Sequence, residues 1–218
     1  MATPNLCLPQ VQACAMRVCD LDSNGVPHPG ATSIYVTDSF TEVSFDPTIE
    51  AGATIKLDNA CGGTAIDFES EPRLTKGVMK FKIIQQASRL AAKLGGGSVI
   101  VDDTNANAKG LALPRIGKIT GNGVSIEVWT KRILNGSLDP DFPYAWWVFP
   151  KVINLRGLSR VFGNSAQEPE FEGLTVENTN WFDGPLNDWN GPSDSIAQWL
   201  PTKSLPTIAC GPTALVAS

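Results

Sequence analysis

Alternating apolar and polar positions in runs of four to eight residues, broken by glycine, proline and asparagine, recur along most of the chain, which is the period of strands. The clearest alternation is at residues 78–84, with Met79, Phe81 and Ile83 on one side and Lys80 and Lys82 on the other, so this strand has one wet or partner-facing surface. Residues 124–130 alternate likewise, with Val124, Ile126 and Val128 opposed to Glu127 and Trp129. The apolar run 145–148 is too short for a helix, is bracketed by Pro143 and Pro150, and predicts a buried strand. Further strands are expected at 11–19, 34–37, 40–45, 54–57, 98–101 and 174–177, with breaks at Asp38-Ser39, Pro47, Gly52 and Gly62-Gly63. Val43 and Phe45 share a face, as do Ile55 and Leu57, which suits a sheet with one face on a core. One helix is predicted, at 86–94, where Ala87, Leu90, Ala91 and Leu94 form a single stripe that Gly95-Gly96-Gly97 terminates.

The remaining segments read as turns, loops and arms. Residues 1–10 hold Pro4 and Pro9 and predict an extended N-terminal arm ahead of a β domain at 11–189. A long loop is expected near 102–118, opened by Asp102-Asp103; adjacent carboxylates point apart on a strand, so a solvated pair is the default. Turns fall at 135–137 and 139–141, and Asn178, Asn180, Asp183, Gly184 and Pro185 close the strand at 174–177. Residues 190–218 carry Pro192, Pro201, Pro206 and Pro212, which predict a C-terminal arm without long regular structure. Within it 195–200 could make one helical turn, and Ile208, Cys210, Leu215 and Val216 give an apolar tail that needs something to lie on.

Composition narrows the function classes. The chain of 218 residues is long enough for one core plus ordered extensions, and 18% charged residues, below the usual quarter, leaves open an ordinary surface or one hidden against copies of itself. A net charge of −5 with no Lys/Arg cluster argues against phosphate-driven nucleic-acid binding. No run of 18 apolar residues predicts membrane insertion, and the start lacks signal-peptide features, so the protein is expected to be cytosolic when made.

Candidate chemistry is sparse. Cys7, Cys14, Cys19, Cys61 and Cys210 contain no C-x-x-C and are expected to be free thiols, although Cys14 and Cys19 could pair in an oxidising medium. The run Asp20-Leu21-Asp22-Ser23-Asn24-Gly25 begins like a calcium loop, but Ala31 stands where the bidentate Glu is needed, and a hairpin turn on Asn24-Gly25 is the better reading. The sole histidine, His28, sits in a Pro-His-Pro-Gly turn, and no G-x-S-x-G accompanies it. The triple glycine follows a helix instead of preceding one, which argues against a phosphate cradle. Six tryptophans (Trp129, Trp146, Trp147, Trp181, Trp189, Trp199) suit a core or interface, with a sugar-binding platform as the alternative. No catalytic, cofactor-binding or metal-binding residue is assigned, no cofactor is expected, and an enzyme is the weakest reading.

Two stretches carry a family likeness. Residues 14–62, CAMRVCDLDSNGVPHPGATSIYVTDSFTEVSFDPTIEAGATIKLDNACG, resemble the N-terminal region of major tail (tail tube) proteins of long flexible-tailed bacteriophages infecting actinobacteria. Within 144–189, YAWWVFPKV and GLTVENTNWFDGPLNDW resemble the C-terminal half of the same family. Residues 100–137 and the tail from Asn190 lie outside the resemblance. It implies a mainly β tail-tube-type sandwich or barrel with one short flanking α-helix and extended terminal arms. The implied function is structural: copies of the chain form hexameric rings that stack into the tube through which DNA is ejected. The implied partners are the chain itself, a tape measure protein and tail terminator or tip proteins. DNA would pass the lumen without specific binding, in a virion tail assembled in the host bacterial cytoplasm. A lumen negative on balance is expected with it, as are arms ordered mainly in the assembled tube. The alternative is a carbohydrate-binding β-sandwich acting as a minor tail or receptor-binding component.

Overall fold

Strands dominate, as the period-two pattern requires. The computed structural model describes residues 7–28, 33–58, 60–84, 87–104, 107–114, 121–158, 164, 168–181, 191–192, 195–208 and 211–213. In chain order these form β1 (Gln10–Asp20), β2 (Ile34–Thr37), β3 (Phe40–Glu50), β4 (Thr54–Asp58), β5 (Thr64–Glu69) and β6 (Arg73–Ile83). The helix α1 (Ser88–Gly95) follows, then β7 (Ser98–Val101), β8 (Ala108–Ala112), β9 (Val124–Leu134), β10 (Ser137–Leu138), β11 (Tyr144–Gly157), β12 (Glu170–Thr175), β13 (Gln198–Thr202) and β14 (Gly211–Thr213). The protein is mainly β, with antiparallel sheets and a single short helix among the described residues. Trp189, Cys210, Leu215, Val216 and the turn formers Asp183, Gly184 and Pro185 lie outside the described residues. So do residues 1–6, Pro29, Gly30, Ala31 and Gln86.

One ten-stranded sheet runs β14-β2-β1-β9-β11-β12-β6-β3, with β10 on β9 and β13 on β11. It is rolled. Phe45 on β3 and Phe149 on β11 have ring centroids 5.2 Å apart, although β12 and β6 lie between their strands. At about 4.8 Å per strand, a flat sheet would hold them well out of contact. The roll encloses the main core, in which Met16 and Val18 of β1 and Ile126 and Val128 of β9 meet Met79, Phe81 and Ile83 of β6 and Phe171 of β12. Leu90, Ala91 and Leu94 of α1 enter the same core, so the helical stripe is the buried stripe. Gly96 ends the helix in the left-handed region at φ 67°, and Lys93 in its last turn pairs with Asp20. The arrangement is sandwich-like, with the two halves of one sheet facing each other.

A second, smaller core covers the opposite face of the central strands. Ala15, Trp129, Trp146 and Val148 are packed there under Trp181. The central strands are therefore buried on both sides: Ser125, Glu127 and Trp129 are as buried as Val124, Ile126 and Val128, so the alternation at 124–130 separates two buried faces.

Prolines mislead at several other positions. β3 does not stop before Pro47 but runs through it to Glu50, since β3 is an edge strand and the missing N–H costs no ladder bond on its outer side. β11 continues through Pro150 for 14 residues, with a register shift between Phe149 and Val152 and Asn154 at φ 53°. No helical turn forms at 195–200: Gln198–Thr202 is instead a strand against β11, with Pro201 opposite Ala145. The C-terminal arm thus contributes β13 and β14 to the chain's own sheet, and Gln10 belongs to β1. The expected loop at 102–118 contains β8, which pairs with β7. The strand expected at 174–177 is Glu170–Thr175.

The turn after β1 is built as a local hydrogen-bonded loop. Asp22 Oδ1 accepts from the backbone N–H groups of Asn24 (2.8 Å) and Val26 (2.9 Å), and Gly25 takes a φ of 81°. Asn178 does more than end a strand: its Nδ2 donates to Gly25 O at 2.7 Å and Pro150 O at 3.2 Å, fastening this turn to β11.

Candidate functional site

The most unusual surface is an arm that extends β3 and β6 past the core. As far as Phe45 and Met79 the two strands pack inward, but beyond Gly77 their partners are solvent-facing, and Ile49 and Leu74 pair with each other at 66% and 51% exposure. The chain then enters the two-stranded β4–β5 sheet, in which every described residue is exposed. Ile55 opposes Phe68 and Leu57 opposes Ile66, giving two apolar rungs on one face of the hairpin. The expectation that Ile55 and Leu57 face a core is corrected: both are about half exposed, and neither belongs to a core cluster among the described residues. An isolated hairpin is marginal in water, and each such side chain gains roughly 1.5–3 kcal/mol on burial, so this face favours a partner. The base of the arm is tight. Ala53 N–H donates to Ser70 Oγ at 2.7 Å, and a Cβ on Gly52 would fall 1.5 Å from Ser70 O.

Two further features lie on the same molecule. The hairpin β7–β8 carries Ile100 and Val101, about half exposed, with Leu113 just beyond it. β3 ends the main sheet, and among the described residues it is hydrogen-bonded on one side only, along β6. Eleven residues of open edge are a template for another strand.

The solvent face of β11, β12, β6 and β3 is charged in alternating columns. One cross-strand rung is Glu42, Lys82, Glu170, with Lys82 Nζ 3.0 Å from Glu42 and 3.9 Å from Glu170. Its hydrogen bond to Glu42, then the charges of Glu42 and Glu170, raise the Lys82 pKa above the ordinary lysine value. The next rung is Ser44, Lys80, Glu172, Arg156, with Arg156 Nη2 2.6 Å from Glu172 Oε1. Asp46 and Lys76, further along β3 and β6, keep the balance of sign.

The most ordered polar cluster is buried. Arg17 on β1 and Glu127 on β9 are register partners and form two charge-assisted bonds, Nε to Oε1 at 2.8 Å and Nη2 to Oε2 at 2.6 Å. Trp146 Nε1 donates to the same Glu127 Oε2 at 2.8 Å, and the Arg17 guanidinium lies 5.3 Å from the Trp129 ring. Trp129 and Trp146 stack with centroids 5.5 Å apart and planes 10° from parallel. Both carboxylate oxygens of Glu127 accept from members of the cluster, which makes it a structural clamp between β1, β9 and β11.

The other candidates are dispersed. His28 Nδ1 lies 3.1 Å from Ser33 Oγ, and no group of three His, Cys, Asp or Glu residues with metal-holding geometry occurs among the described residues. Asp102 accepts from Thr104 N–H and pairs with Lys109 at 2.6 Å, as a loop carboxylate does. Trp147 and Trp199 stack half-buried across β11 and β13, while Trp129, Trp146 and Trp181 are core residues. No described helix is long and apolar enough to cross a membrane.

Cys14 and Cys19 are free thiols. Burial, then the charges of Glu127 and Asp20, push the Cys19 thiol up to about 12, and burial also raises Cys14. Both therefore remain protonated at neutral pH and are poor nucleophiles. Iodoacetamide at pH 8 should leave Cys19 unmodified in the native protein and modify it fully in denaturant, as read by peptide mass spectrometry. Native-state labelling at the denatured rate would contradict this.

No protein-family model matches the chain, and no curated protein matches it. Residue pattern indicated which side chains share the face of β4 or of β5, but not that the face is exposed. It missed the Arg17–Glu127 clamp altogether, because a charge in an alternating strand reads as a wet position; Trp129, flanking it, was the available signal.

Proposed function

We propose that this protein is a structural subunit that polymerises through copies of itself, as rings stacked into a bacteriophage tail tube that conducts DNA. The observation that carries the reading is the β3–β6 arm with its β4–β5 tip. Four paired apolar side chains there, Ile55, Leu57, Ile66 and Phe68, are held away from the chain's own core. Beside them is the open edge of β3, so both hydrophobic burial and backbone pairing are available to a neighbouring copy. An edge that meets a different surface on the next copy generates rings or filaments, the geometry a tube needs. The resemblance of residues 14–62 and 144–189 to major tail proteins supports the same reading, including the tape measure and terminator or tip proteins as partners and the virion tail as location. The described tryptophans lend little to the carbohydrate-binding alternative, because none of them forms an exposed platform.

Electron microscopy across a concentration series tests this. Hollow tubes or rings of uniform diameter are expected from the purified chain. The double variant Ile55→Glu/Phe68→Glu should remain dispersed with unchanged far-ultraviolet circular dichroism and melting temperature, since neither residue touches the core. Removal of two apolar anchors worth roughly 1.5–3 kcal/mol each should raise the assembly threshold on the order of a hundredfold or more. Normal tubes from the variant would refute the arm's role; dispersed wild-type chains that bind a glycan would favour the carbohydrate-binding alternative.

A further inference from the structure

We propose that the cleft beside α1 is the seat of the chain's own residues 214–218, with Leu215 and Val216 on its apolar wall, and that this anchor holds β14 on the edge of β2. The cleft has a volume of about 580 Å³, the size of clefts that bind ligands. It runs across the ends of β1, β9 and β11, between α1 and the start of β7. Leu21, Val124 and Leu155, all buried, line it together with Ala92 and Val99. Lys93 also lines it, and its Nζ is bonded to Asp20 and, at 3.0 Å, to Ser33 O, so the cleft begins where β2 begins. Because that ammonium already has a carboxylate and a carbonyl, an uncharged segment can lie against it without leaving a buried charge unpaired.

The register of β14 points the chain at this cleft. Gly211 stands opposite Val36 and Thr213 opposite Ile34, so the next residue of the same ladder would stand opposite Ser33, beside Lys93. Residues 214–218, Ala-Leu-Val-Ala-Ser, lie outside the described residues and carry no charged side chain. Extended, five residues span about 17 Å. From Lys93 to Arg89, at the other end of the helical wall, the rise is only about 6 Å. The apolar tail that the sequence leaves without a surface thus has one within reach. β14 also needs an anchor. It has three residues, of which Gly211 and Pro212 are poor strand formers and Pro212 has no N–H to donate. Burial of Leu215 and Val216 just beyond it supplies what so short a ladder lacks, and keeps the outer edge of β2 closed to other strands.

Disulfide trapping in the full chain tests the seat directly. Val216→Cys is combined with Ala92→Cys in the cleft or, as a control, with Leu138→Cys on β10, at the far end of β9 from the cleft. After mild oxidation of dilute protein, peptide mass spectrometry should find the thiols introduced at 92 and 216 joined within one chain, to the same extent at tenfold lower protein concentration, and no link between 138 and 216. A 92–216 link confined to dimers would make a second copy's tail the occupant and overturn the proposal, as would no such link or an equal link to 138. Hydrogen exchange reads the anchoring role. Leu215→Asp/Val216→Asp, with its fold checked by circular dichroism, should speed exchange of the β2 amides by about tenfold or more while those of β6 keep their wild-type rates. Unchanged exchange in β2 would overturn the claim that the tail holds β14 in place. Neither measurement depends on polymerisation, so this proposal stands or falls apart from the assembly reading.

Discussion

Replacing Arg17 by alanine should destabilise the fold by about 3–5 kcal/mol, the largest effect expected of any single charged residue in this chain. Arg17 and Glu127 have side chains only 5% and 1% exposed, so removal of the guanidinium leaves a carboxylate in the low-dielectric space beside Trp129 and Trp146, with one Trp146 N–H as partner. For a domain of this length the melting temperature should fall by roughly 10 °C or more. Glu127→Ala should cost a similar amount for the converse reason. The paired replacement Arg17→Met/Glu127→Leu should recover most of the loss, because desolvation of both charges offsets much of their attraction in the wild type. Urea titrations of the singles and the double would measure the coupling. Additive losses would show that the clamp contributes no pairwise energy.

Phe171→Ala should be comparably severe, at about 3–5 kcal/mol. The ring is 1% exposed and lies against the end of α1: a Cβ on Gly95 would stand 3.3 Å from Phe171 Cε1, and one on Gly157 would stand 3.9 Å from it. Truncation therefore opens a cavity where helix, β11 and β12 meet, and glycine neighbours have no side chain to refill it. Phe171→Leu should lose less than half as much. Denaturant unfolding compares the two, and equal losses would indicate collapse around the site instead of a retained cavity.

What the sequence disclosed depended on whether one face of an element is wet. β6 was legible because Lys80 and Lys82 mark its outer side against Met79, Phe81 and Ile83. The helix was legible because its stripe is narrow and its glycine stop is unambiguous, although it begins at Ser88. β9 was half legible: its alternation was plain, but the pattern did not disclose that both faces are buried, because only a partner on β1, 110 residues away, makes burial of Glu127 tolerable. Proline was the other source of error, since Pro47 and Pro201 occupy edge positions whose outer side needs no N–H, and an edge is a property of the sheet, not of the local sequence. The arm marks the clearest boundary. Alternation specifies that Ile55 and Leu57 point the same way, but not what lies there.

The order of the sheet also bears on how the chain is made. β1, an early strand, is flanked by β2 and by β9, whose residues lie more than a hundred positions later. At ribosomal rates of about 5–20 residues per second, one side of β1 waits on the order of 5–20 s for its partner strand. A nascent chain in this condition exposes two adhesive surfaces at once, the unfilled side of β1 and the apolar arm. The time between their synthesis and the arrival of β9 is when crowded copies of this protein are most exposed to wrong pairing.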